Sequence, residues 1–318
     1  MQPVYINRIA SINAQGIVGE NHSLVADEPD YKSLITNANL RRRMSRIIKM
    51  GVACGLECIG TTPPEQVNAI VTATGLGCLA DTEKFMNNLL DQDEQMLNPT
   101  AFIQSTFNTI GAQIALLLHI HAYNVTYVHR GLSFESALLD GMMKIWEGNE
   151  TVLVGAVDEL TASSRLIQQR LGLLTDTIPG EGAQFFLLSS HKSEETFAQI
   201  KGVETFIHEA STQEVEERIN SFLSQNELNN SDINRLITGR NGNTQRDLIY
   251  DHLEKRLFPH AKHGTFKEQC GEFQTATSYA VRMAAGALKE ESQQVRNILI
   301  YNQYQGINHS LILLEKDL

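Results

Sequence analysis

Apolar runs of strand length alternate along this chain with segments of helical period. VYINRIASI reads as a strand. Arg41 to Cys58 reads as one helix, with Met44, Ile47, Gly51, Cys54 and Cys58 along one side. The turn signal TTPPE precedes VNAIVTAT, a second strand. Helical segments at Asp81–Leu90 and Ile110–Ala122 follow, then the strand NVTYVH. Ser133–Trp146 is helical and TVLVGAVDEL is a strand apolar enough to be covered on both faces. The pattern restarts near residue 165. GEGAQFFLLSS reads as a strand, Thr212–Gln225 as an amphipathic helix, and INRLITGRNG as a strand running into a Gly-Asn loop. Lys267–Leu288 holds a loop and a long helix, and NILIYNQYQGINHSLILLEK closes the chain as two strands.

The two stretches echo each other. VNAIVTATGLG and INRLITGRNGN share the order Asn, apolar, apolar, Thr, then a glycine loop, and each follows a helix and a turn. The order predicts layered α/β structure from an internal duplication, with halves at 1–165 and 166–318. Binding sites in such folds lie where loops leave the strand ends, between the halves.

Composition narrows the function classes. With 318 residues, 42% hydrophobic and 20% charged, the chain can bury a large core. Its 26 Lys+Arg against 37 Asp+Glu give a formal charge of −11, which argues against broad nucleic-acid binding. Four cysteines without a CxxC pair fit a reduced cytoplasmic setting. No apolar run reaches the roughly 20 residues of a membrane helix. No His/Cys/Asp spacing makes a metal-ligand set, and no cofactor is expected. Gln95 to His129 contains no Lys, Arg, Asp or Glu. That stretch is either monomer core or an obligate interface, since interface cores exclude charge.

Several segments together resemble the β-ketoacyl-acyl-carrier-protein synthases of the thiolase superfamily, over nearly the whole chain. NPTAFIQSTFNTIGAQIAL resembles the segment leading to the nucleophile, with the family's Asn at Asn108. HRGLSFESALLDGMMKIWEGNETVLVGAVDEL resembles the nucleophile elbow, its helix and the next strand. ITGRNGNTQRD sits where the family has His-Gly-Thr-Gly-Thr, and FKEQCGEFQTA where it has Lys-x-x-x-Gly-His. NQYQGINHSLIL stands in place of the Gly-Phe-Gly-Gly-x-Asn loop, with Asn308 at its Asn. The chain is most similar to ketosynthase-like and chain-length-factor-like proteins of Bacteroidetes aryl-polyene and flexirubin-type pathways. The resemblance implies a thiolase-like fold of two similar halves in five layers, αβαβα, and a dimer. The partner is either a second copy or an active ketosynthase, with an acyl carrier protein as a further partner.

Family members condense acyl groups with a Cys thiolate at a helix N-terminus and two His that stabilise enolate charge. Here the Cys position falls on Ser133, the first His on Gly239 and the second on Glu272, five residues after the matching Lys267. A serine hydroxyl needs an activating base. Gly239 has nothing to donate, and an ionised Glu272 only accepts hydrogen bonds. Losing one oxyanion donor costs about 10²–10³ in rate, so this set argues against condensation. The expectation is a catalytically degenerate, chain-length-factor-like subunit of fatty-acid or polyketide-type biosynthesis. The alternative is a thiolase-fold acyltransferase that uses Ser133 as acyl acceptor, with a base such as His129.

Plainer roles stand beside these. Ser133 reads as a helix N-cap, and Glu272 as the ion-pair partner of Lys267. Arg240 is either a cation for the former pocket or a surface loop residue. Cys78 and Cys270 read as inert buried thiols. Phe107 and Phe134 either plug an acyl tunnel or belong to the core, and Tyr304 either gates the acyl pocket or packs in the core. Arg41, Arg42, Arg43, Arg46 and Lys49 are either a docking patch for an acidic carrier protein or a solvated helix end.

Overall fold

The computed structural model describes residues 2–16, 22–95, 99–290 and 295–316. Among them ten strands form one continuous sheet: β1 (Val4–Asn13), β2 (Ala69–Ala73), β3 (Tyr123–Tyr127), β4 (Thr151–Asp158), β5 (Gly182–Ser189), β6 (Ala198–Ile207), β7 (Arg235–Thr238), β8 (Lys262–Thr265), β9 (Asn297–Tyr304) and β10 (Asn308–Glu315). The helices are α1 (Ala38–Arg43), α2 (Arg46–Ile59), α3 (Leu79–Asp91), α4 (Pro99–Gln104), α5 (Thr109–Leu118), α6 (Ser133–Trp146), α7 (Ala162–Arg170), α8 (Thr212–Gln225), α9 (Leu248–His252), α10 (Lys267–Cys270) and α11 (Thr277–Glu290).

The sheet order is β3-β2-β4-β5-β1-β6-β10-β9-β7-β8. Numbered within each set of five, both sets read 3-2-4-5-1 from outer edge to centre, so the duplication extends to topology. The two sets join where β1 pairs antiparallel with β6 over Val4–Ile6 and Ala198–Ile200. The strand GEGAQFFLLSS, expected to open the second half, pairs with β1 and β4 and closes the first set. Strand β6 opens the second set, and the pattern reading passed over it. Its alternation, with Ala198, Ile200 and Phe206 buried and Gln199, Lys201 and Thr205 less so, is the signal that was there.

Three cores separate five layers. In the middle, α6 and α11 pack between the two sets of strands, with Phe134, Leu138 and Met142 from α6 and Ala280, Ala284 and Leu288 from α11. Outside the first set, α2 and α5 pack through Ile47, Val52, Cys54, Ile110 and Ile114. Outside the second set, α8 packs through Val215, Ile219 and Phe222. The expected αβαβα layering is the observed one. The predicted helix over 41–58 is two helices instead. Asn37 caps α1 by accepting from the Asn39 and Leu40 amides, and Met44 turns extended and ends it. Met44 is thereby buried while Arg42 and Arg43 stay exposed.

Candidate functional site

The elbow ahead of α6 brings Ser133 to the centre of the molecule with no exposed surface. Its Oγ donates to the Arg130 carbonyl at 2.8 Å and accepts from the His129 amide at 2.7 Å. The hydroxyl therefore ties down the turn behind it. It does not cap the α6 amides, which corrects the N-cap reading, and the helix N-cap residue is Leu132. No imidazole reaches Ser133 Oγ. The exposed His129 ring pairs through Nδ1 with Ser136 Oγ at 3.3 Å. The base that a serine acyl acceptor requires is thus not the one expected.

Gly239, expected at the place of the first family histidine, follows β7. A Cβ built there would lie 2.0 Å from Asn302 Oδ1 and 3.0 Å from the Tyr250 hydroxyl. Both residues are buried, Asn302 donating to Thr277 Oγ1 at 2.8 Å and Tyr250 OH accepting from the Gln303 amide at 3.0 Å. The space for an imidazole is filled by two β9 and α9 side chains held in place.

Glu272 ends the α10 turn. Its Oε2 meets Lys267 Nζ at 2.9 Å and accepts from Asn241 Nδ2 at 2.7 Å. Its amide donates to the Ile178 carbonyl, and its carbonyl accepts from Gly180. Lys267 Nζ also donates to the Gln303 carbonyl at 3.2 Å. Glu272 is thus half of an anchored ion pair, and the Lys267 ammonium faces a carboxylate already present.

Tyr304 closes the space between these positions. Its ring lies against Gly131, where a Cβ would fall 2.5 Å from Cδ1, and burial pushes its hydroxyl pKa up. The cavity behind it, lined by Glu159, Asn241, Arg246, Glu272 and Gln274 among others, measures about 20 Å³. That is the size of one water, far short of an acyl chain. An open groove of about 460 Å³ lies on the outer side, lined by Leu76, Leu79, Arg130, Ile167 and Leu173 and sharing Tyr304, Gln274 and Gln305 with the cavity.

Other expected site residues lie elsewhere. Phe134 belongs to the central core, 5.7 Å from the Phe186 ring. Phe107 is half exposed and covers Gly77, and Asn108 is exposed at the start of α5. Asn308 opens β10, buried in the pairing with β9. Cys78 and Cys270 are buried free thiols, and burial raises both pKa values. Arg240 turns to Asp251 at 2.7 Å and Glu254 at 3.1 Å instead of toward the cavity. Arg46 leaves the basic run. It binds Glu181 through Nη1 at 2.7 Å and also pairs with Glu28. Glu181, fully buried, accepts in addition from the Ala26 and Leu160 amides. Arg41 donates to the Ile35 carbonyl, Lys49 is half-buried, and Arg42 and Arg43 remain exposed.

Buried acids were missed by the sequence reading. Asp158 takes hydrogen bonds from Thr74 Oγ1, Gly75 N, Thr275 N and Thr275 Oγ1 and so fastens the ends of the two halves together. Glu159 lines the small cavity, and burial lifts its pKa to about 7. Glu135 sits in α6 on the face of Leu138 and Met142. A carboxylate at that period on an apolar face was the available signal.

The charge-free stretch is largely open in the protomer. Phe102, Ile103, Phe107, Leu116 (67% exposed), Tyr123 and Val128 all face outward. Tyr123 opens β3 and Leu116 belongs to α5, which packs beside it; β3 forms one end of the sheet and pairs with β2 among the described residues. Residues 96–98 of the stretch, and Asn98 of the quoted motif, lie outside the described residues.

Residues 20–164 match the family model of the beta-ketoacyl synthase N-terminal domain. The fold of the chain is thiolase-like, as in solved ketosynthases and chain length factors. No curated protein matches it. The ishigamide ketosynthase/chain length factor superimposes with a TM-score of 0.81 at 14% identity, covering 99% of both chains. A type II polyketide acyl-carrier protein in complex with its hexaketide-bound ketosynthase gives 0.79 at 14% identity, covering 100% of both. A ketosynthase in complex with its chain length factor from Xenorhabdus doucetiae gives 0.76 at 14%, covering 99% of this chain and 98% of that one.

Proposed function

We propose that this chain is a non-condensing, chain-length-factor-like subunit that pairs with an active ketosynthase in fatty-acid or polyketide-type biosynthesis. The observation that carries the reading is the state of the three positions where condensation needs a thiol and two imidazoles. Ser133 is spent on backbone, the space beside Gly239 is filled by Asn302 and Tyr250, and Glu272 is held by Lys267 and Asn241. The cavity behind Tyr304, about 20 Å³, is too small to hold a growing chain.

The partner surface is the charge-free face. An edge strand with unpaired backbone groups and a rim of exposed apolar side chains is a template for pairing. The β3 sequence YNVTY reads nearly the same in both directions about Val125. Antiparallel pairing with a like strand would set Tyr123 against a residue of the Tyr127 type, as a two-fold or pseudo-two-fold interface requires. Carrier-protein docking rests on the exposed Arg42 and Arg43, since Arg46 is engaged internally. The boundary of the duplication falls between Ser189 and Ala198 rather than at 165/166, and the protein works in the cytoplasm with its thiols reduced.

Co-expression with an active ketosynthase from the same genome tests the pairing. A heterodimer that co-purifies, and that Leu116→Asp disrupts, is expected. A stable homodimer that ignores every such ketosynthase contradicts it.

A further inference from the structure

His309 is the second residue of β10 and takes no part in the candidate site. It is 2% exposed, and β10 pairs it with Phe206 of β6 and Gln303 of β9. Its ring stacks on the Phe206 ring, with centroids 4.5 Å apart and planes 3° from parallel. Nε2 lies 3.1 Å from the His208 carbonyl oxygen, and Nδ1 lies 2.9 Å from the Tyr301 hydroxyl. A carbonyl only accepts, so Nε2 carries the proton. In the neutral ring Nδ1 then accepts from the Tyr301 O–H.

This arrangement has no place for a second ring proton. An N–H at Nδ1 would turn the Tyr301 O–H away, and that hydroxyl makes no other hydrogen bond among the described residues. Tyr301 is fully buried, so its proton would be left without an acceptor. Nor does an acid stand ready to meet the charge. On α8, Glu214 is taken by the His208 ring at 2.6 Å, while Arg218 lies 5.4 Å over the Phe206 ring and adds a cation. On α9, Tyr250 meets Tyr301 edge-on, with centroids 5.6 Å apart. Burial accordingly holds the His309 pKa below the usual histidine value.

The contact with β6 sits at the base of the β9–β10 hairpin. The His208 amide donates to the Ile307 carbonyl at 2.9 Å, beside the bond from His309 to the His208 carbonyl. Gln305 in the turn has φ 55°, a left-handed conformation that a residue with a side chain adopts at a cost. Tyr304 and Gln305 wall both the small cavity and the outer groove.

We propose that His309 is an acid-sensitive latch: the neutral ring pins the hairpin tip to the end of β6, and protonation at Nδ1 releases the tip and lets Tyr304 leave the wall between cavity and groove. The latch belongs to the single protomer and does not rest on the proposed function. Each opening takes up one proton from solvent. The opening equilibrium therefore rises by up to tenfold per pH unit once pH falls below the ordinary histidine value of about 6.5.

Amide hydrogen exchange of the whole chain at pH 7, 6 and 5, corrected for the intrinsic exchange rate, tests the latch. Protection of segments 206–208 and 304–309 is expected to fall about tenfold from pH 6 to pH 5, with β4 unchanged. His309→Gln, which does not titrate, should flatten that profile. His208→Gln should keep the fall, because the His208 ring stands at the surface beside Glu214. A flat profile in the unaltered protein overturns the proposal, and so does a fall that persists in His309→Gln. If that variant does not fold, the ring nitrogen shifts of His309 in the unaltered protein decide. Loss of protection that follows protonation of this ring supports the latch. A ring that protonates while the tip stays protected, or a tip that opens while the ring stays neutral, refutes it.

Discussion

At the scale of single residues, Gly239 and Glu272 are held by packing as well as by chemistry. Asn302 Oδ1 occupies the Cβ position of any larger residue at 239. Gly239→Ala should cost about 2 kcal/mol in urea unfolding, as overpacking does, and adding Asn302→Ala should recover part of the loss. A Gly239→Ala protein as stable as the original would show that the loop relaxes freely. Glu159 gives a pH test. Burial raises its pKa from 4.5 to about 7, so between these values the folded chain holds a proton the unfolded chain has lost. The contribution to stability is full below pH 4.5 and declines as pH rises through 7, by up to about 3 kcal/mol. The stability of Glu159→Gln relative to the original should therefore climb across that window. Parallel pH profiles would contradict it.

At the scale of elements, the basic run around α1 and α2 separates into roles that charge spacing alone does not reveal. Arg46→Ala strands Glu181 in the interior and should cost about 3 kcal/mol, because a buried partner loses its counter-charge. Arg42→Ala should stay within about 0.5 kcal/mol, as exposed substitutions do. Comparable losses from both would mean that the cluster acts as one surface. Helical period gave α6 and α8 with their observed bounds, since uninterrupted amphipathic segments leave little choice of register. It failed at Met44, where a tertiary contact draws one apolar side chain inward and breaks the helix. It also assigned β5 to the wrong half, because strand partners lie far apart in sequence and a local pattern carries no pairing information.

At the scale of the whole molecule, the sequence carried the layered α/β order and its repeat, since glycine loops and strand runs are local features. It did not carry the burial of Glu135 and Glu159 or the turn to which Ser133 is tied, which arise where distant loops converge, and it left the role of Tyr304 open. Under the proposed function, Ser133, Gly239 and Glu272 share one consequence: the scaffold of a ketosynthase is kept while the space and groups for condensation are filled or redirected. On the same proposal, the exposed apolar side chains at the β3 end of the sheet are the part of the molecule left to act on a partner. Intact-protein mass after exposure to acyl-carrier thioesters is the most direct test of that account, with Ser133→Ala alongside and an active ketosynthase loaded in the same reaction. The account predicts an acyl adduct on the ketosynthase and none on this chain. An adduct on this chain that disappears in Ser133→Ala would contradict it, and would make Ser133 an acyl acceptor.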